Sequence, residues 1–117
     1  MGIFSRSSEP DISAMMQKRD VEGLIKALKH SNPNIRLRAA QVLGEIGDTR
    51  AVGPFIDVIR KEKDNDVQWS AIEALVKVAP SEVAMESFVQ ALKGKVDDVR
   101  WNSLEALLKE RKQKMRK

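Results

Sequence analysis

One histidine, His30, and no cysteine set the ceiling on the chemistry open to this 117-residue chain. Thiolate nucleophiles, disulfides and cysteine-bound zinc are excluded together. A lone imidazole cannot assemble a histidine-based metal centre, which needs several such ligands. His30 stands at the end of an apolar-periodic segment, where a hydrogen-bonding or cationic side chain suits the carbonyl end of a helix. Two acidic clusters, Asp64/Asp66 and Asp97/Asp98, have the residue types of a general acid–base pair or a calcium loop. Each falls where a helix begins, so its carboxylates are expected to cap free N–H groups at the positive dipole end. No stretch carries the twelve-residue ligand pattern of a calcium loop. The glycines of LGEIGD belong to a helix ending and do not form a phosphate cradle. The residues therefore supply no catalytic set, no metal ligands and no cofactor site, and the chain reads as a non-enzyme.

What these residues sit on is an internal repeat. NIRLRAAQVLGEIGD from Asn34, DVQWSAIEALVKVAP from Asp66 and DVRWNSLEALLKERK from Asp98 align without gaps at an offset of 32 residues. The shared stripe is Ile35, Ala39, Val42, Leu43, Ile46 in the first copy and Val67, Ala71, Ala74, Leu75, Val78 in the second. In the third it is Val99, Ser103, Ala106, Leu107, Glu110, where the last position breaks the pattern. Spacings of three and four make each stripe one face of an α-helix. A second apolar helix precedes each: Val21, Leu24, Ile25, Leu28, then Val52, Phe55, Ile56, Ile59, then Met85, Phe88, Val89, Leu92. One helix–turn–helix unit cannot cover its own apolar faces, so the units must stack.

The punctuation agrees. Asn32-Pro33 is an N-cap followed by proline at the first helical position. Gly47 and Gly94 stand where left-handed caps end helices, Pro80 ends another, and Pro54 lies near a helix start. Asp11 is expected to cap a short helix over Ile12–Lys18 whose Ile12, Met15 and Met16 cover the open end of the first hairpin. Six main helices are predicted near 20–30, 33–46, 51–62, 66–79, 82–93 and 97–112. The fold class is an all-α solenoid of three helical hairpins with a short N-terminal capping helix. Residues 1–10 are expected to be disordered, 11–111 to form the repeat domain (repeats about 20–47, 48–79 and 81–111), and 112–117 to be a basic tail.

The segments VEGLIKALKHSNPNIRLRAAQVLGEIGD, AVGPFIDVI–DVQWSAIEAL and MESFVQAL–DVRWNSLEAL resemble the HEAT-repeat family, most closely the short repeats named after phycobilisome lyases. The resemblance spans about residues 20–110 and implies a scaffold fold that serves many unrelated functions. Some relatives bind metal through His-Glu pairs on several helices; the chain has no His-Glu dipeptide, and no lyase motif is identifiable. The repeat position of Arg36, Gln68 and Arg100 implies a ladder of polar ties between units.

Two surfaces remain as candidates. Taking the repeat stripe as inward, a rotation of 100° per residue places Leu37, Gln41, Gly44, then Trp69, Glu73, Val76, then Trp101, Glu105, Leu108 on the opposite face. Both tryptophans of the chain stand there. Indoles give the large contact area and N–H donor that interface anchors use. Leu37, Gln41, Trp69, Glu73, Trp101 and Glu105, on the expected concave face of the second helices, are thus the predicted site for a protein or peptide partner, a helix or extended peptide with an apolar anchor and Lys/Arg. The alternative is nucleic acid or an anionic surface, met by Arg100, Lys109, Arg111, Lys112 and Lys114. Residues 109–117 hold six of the 21 basic residues and one acid, so the remaining body is slightly acidic while the whole chain is +4. A basic tail on a near-neutral body favours the protein partner. No apolar run reaches the ~18–20 residues of a membrane span, and no signal or acylation motif opens the chain. A cytoplasmic location is expected.

Overall fold

The computed structural model describes residues 9–94 and 96–115. Among them are seven α-helices, one 3-10 turn and no strand. Local capping sets most boundaries. The Asp11 carboxylate accepts the Ala14 N–H at 3.0 Å and starts α1 (Ile12–Lys18), which ends at Arg19 in a left-handed conformation. Asp20 accepts from Gly23 N–H and starts α2 (Val21–Ala27). Asn32 and Pro33 open α3 (Pro33–Ile46), and Gly47, at φ +75°, closes it with its N–H on the Leu43 carbonyl.

The turn Thr49–Ala51 leads into α4 (Val52–Lys61). Pro54 lies in the first turn, where its missing N–H has no intrahelical acceptor to lose. Asp64 accepts from the N–H groups of Asp66 and Val67 and starts α5 (Asn65–Val78). Ser81 does the same for α6 (Glu82–Leu92) through Ala84 N–H. The Asp97 carboxylate accepts from Arg100 N–H at the start of α7 (Asp98–Met115). The predicted acidic clusters are thus used as caps through Asp64 and Asp97. Of the stretch expected to be disordered, residues 1–8 lie outside the described residues. Residues 112–115, expected as a tail, continue α7; Arg116 and Lys117 of the same tail are outside the described residues.

Hairpins α2–α3, α4–α5 and α6–α7 stack chiefly through their second helices, and α3 against α5 is the most extensive interface. Gly44 makes that closeness possible: a Cβ built there would lie 2.9 Å from the Ala74 Cβ. One core runs through the stack, with Leu24, Leu43, Phe55, Ile72, Leu75, Met85 and Leu104 among its fully buried side chains. At the open end of the first hairpin Ile12 is buried and Met15 packs on the core, whereas Met16 is exposed.

The third copy departs from the expected stripe. Val99 is 75% exposed, Ser103, Ala106 and Glu110 are exposed, and Leu107 is only half-buried. Leu104, one position beyond the stripe, is 0% exposed, and Trp101 and Leu108 pack partly on the core beside it. The reason lies in composition. Ser103, Ala106 and Glu110 offer little apolar area, and burying the Glu110 carboxylate without a partner is costly. Trp101, Leu104 and Leu108 form a richer stripe at the same helical spacing, and α7 turns it inward.

Candidate binding surface

The polar ties between units predicted at the repeat position are present at Arg36 and Arg100, whereas Gln68 bonds within its own hairpin. The Arg36 guanidinium pairs with Glu62 at 2.9 Å and donates to the carbonyls of His30 and Ser31. Gln68 Nε2 donates to the Ile59 carbonyl at 2.9 Å, and Arg100 to the Asn65 carbonyl at 3.0 Å. Arg36 and Gln68 thereby meet carbonyls of a loop and a helix C-terminus, and Arg100 ties α7 to the start of α5. His30 Nδ1 accepts the Asn32 N–H at 2.9 Å, which fixes the turn between α2 and α3. Among the described residues no three His, Asp or Glu side chains converge as metal ligands. Nor is any helix of these residues long and apolar enough to cross a membrane.

The predicted partner-binding residues divide into two groups. Gln41 and Glu73 flank a polar cleft of about 340 Å³ between α3 and α5, shared with Glu45, Ser70 and Lys77. Trp69 and Glu73 form the α5 wall of a larger cleft, about 560 Å³, whose other wall is Ser103, Ala106, Leu107 and Glu110 of α7. A third cleft of about 310 Å³ continues from Glu73 and Leu107 toward Lys77 and Lys114. Glu73 borders all three. Leu37 and Trp101 are half-buried and Glu105 is exposed, but none of them lines these clefts.

Trp69 and Trp101 both pack in part against the core, so they sit at the edge of the buried arc and not at its back. The inward direction explains this. On α3 and α5 burial extends past the repeat stripe to Ala40, Gly44, Ile72 and Val76. At 100° per residue, that moves the centre of the core toward Leu37 and Trp69. The cleft residues missed from the sequence are those of the third stripe, Ser103, Ala106, Leu107 and Glu110, assigned there to the core. Glu110 was the available signal, since it broke the apolar pattern at that position.

Around the clefts Glu45, Glu73, Glu105 and Glu110 make no ion pair among the described residues. Three of the predicted phosphate-binding cations are engaged within the chain. Arg100 is held by Asn65, and Arg111 donates to the carbonyls of Val76, Lys77 and Ala79 at the end of α5. Lys112 pairs with Glu86 at 3.1 Å and approaches Glu82. Lys109 and Lys114 are exposed.

Residues 21–108 match the family model for HEAT repeats. No curated protein matches the chain.

Proposed function

The chain belongs to the HEAT-repeat family, and we propose that it is a non-enzymatic binding module that takes a helix or extended peptide along its second helices. HEAT repeats generally mediate protein–protein interaction. The observation that carries the reading is the cleft between α5 and α7. It places the indole of Trp69 and the side chain of Leu107 beside the carboxylates of Glu73 and Glu110. An apolar anchor flanked by Lys or Arg fits that combination, the anchor for area and the cations for steering and register. In this reading residues 11–111 are the binding unit, and Gln41 extends the surface onto α3.

The alternative, phosphate binding by the basic end of α7, has less support, because Arg100, Arg111 and Lys112 already serve intrachain acceptors. Capture of a partner from the native cell by the full chain tests the proposal. Trp69→Ala combined with Glu73→Gln should abolish capture at ~200 mM salt, where purely phosphate-driven binding is already weak. Undiminished capture by that folded variant would remove the site. Capture that vanishes only on replacing Lys109 and Lys114 would transfer function to the basic segment.

A further inference from the structure

A further cleft lies on the first-helix side, between α2 and α4, and shares no residue with the surface above. It holds about 340 Å³. Ile25, Leu28, Pro54 and Val58 give it an apolar floor, and its rim is charged. Lys29, Lys61, Lys63 and Arg36 face two carboxylates there, Asp57 and Glu62. Both carboxylates are already matched: Glu62 with Arg36 at 2.9 Å, Asp57 with Lys61 at 3.3 Å. Lys29 and Lys63 are exposed and make no ion pair among the described residues.

Cations near helix C-termini are often explained by the carbonyls they satisfy. Several of those carbonyls already have other donors here. The loop carbonyls of His30 and Ser31 are taken by Arg36, that of Ile59 by Gln68, and that of Val58 by the Glu62 N–H. The two lysines are left as a net positive rim over an apolar floor.

We infer that this cleft binds an acidic peptide segment carrying one large apolar side chain, the anchor on the half-buried Ile25, Pro54 and Val58 and the carboxylates on Lys29 and Lys63. The charge is opposite to that of the α5–α7 cleft, whose lining holds Glu73 and Glu110 and no cation, so the module presents two faces to two chemically different partners and can bridge them. Two weak sites joined by one rigid body gain effective concentration when both ligands belong to one assembly.

The probe is a fluorescein-labelled peptide of Asp and Glu with one central leucine, titrated into the full chain and followed by anisotropy and by ¹⁵N amide shifts. Saturable binding is expected, with shifts centred on Ile25, Lys29, Val58 and Lys63. Lys29→Glu with Lys63→Glu should weaken it at least ~10-fold, while Trp69→Ala should leave it unchanged. A peptide with serine in place of leucine should bind at least ~10-fold more weakly, the loss expected for one buried apolar side chain. No saturation by roughly 1 mM, the weak end of specific affinity, would overturn the inference. So would shifts centred on Trp69 and Glu73, or equal binding of the serine peptide, which would make the rim a plain polyanion site. Because the two faces share no residue, failure here leaves the proposed function standing, and the reverse holds too.

Discussion

The first two repeats and the third carry nearly the same pattern of residues, yet they pack differently. In α3 and α5 the leucine of the repeat, Leu43 or Leu75, is fully buried; its counterpart in α7, Leu107, is half-buried and lines a cleft. The α3–α5 interface closes because Gly44 admits Ala74 at backbone distance. The α5–α7 interface is less extensive and leaves a cleft, and Val76 stands in α5 where Gly44 stands in α3. A glycine lets the neighbouring backbone approach closely, whereas a valine at the same repeat position does not. Rigidity and access are thus distributed along one stack: a close-packed pair of repeats supports a third that leaves an apolar wall available.

The largest expected effect tests this contrast at one repeat position. Leu43→Ala and Leu75→Ala should each cost ~2–5 kcal/mol in urea unfolding, as truncations of buried leucine do. Leu107→Ala should cost about 1 kcal/mol, in keeping with partial burial. Equal losses at all three would mean that the third repeat closes in solution as tightly as the others. Next is Gly44→Ala. Helix propensity alone would stabilise it by ~1 kcal/mol, but the added methyl meets the Ala74 Cβ at 2.9 Å and its Cα at 3.1 Å. Overpacking of ~1–3 kcal/mol should outweigh the gain. Adding Ala74→Gly should recover part of the loss, and additivity in that double-mutant cycle would deny the contact.

The smallest effect concerns the loop joining the close-packed repeats. Hydrogen bonds from the Arg50 side chain and backbone hold the Asp48 carboxyl below its ordinary value of 3.8. A carboxylate whose folded pKa is depressed stabilises the fold above its unfolded pKa, and that contribution is lost as pH falls through the folded pKa. The stability difference between the native chain and Asp48→Asn should therefore be small near neutrality and disappear in strong acid. The exposed site keeps it small. A difference that widens on acidification would contradict the Arg50 assignment.

Much of the fold was legible because its signals are local. Caps at Asp11, Asn32, Asp64 and Asp97, and left-handed closures at Gly47 and Gly94, involve groups within a few residues of one another. The stripes of the first two copies are apolar at every position and are buried or half-buried, although the buried arc also reaches Ala40, Gly44, Ile72 and Val76. The candidate site was legible only as positions on the clefts. Trp69, Glu73 and Gln41 stand on cleft walls, but the opposing wall of α7 was not foreseen, and Leu37, Trp101 and Glu105 lie off the clefts.

Periodicity, capping and the 32-residue repeat, all written in neighbouring residues, determined that there would be helices, how many, and that they would stack in hairpins. The rotation of α7, the half-burial of both indoles and the charge of the two opposite clefts were decided only in the assembled molecule. The cause is competition between faces. Where two stripes on one helix are comparably apolar, the helices packed beside it choose which is buried, and those neighbours lie tens of residues away in the chain.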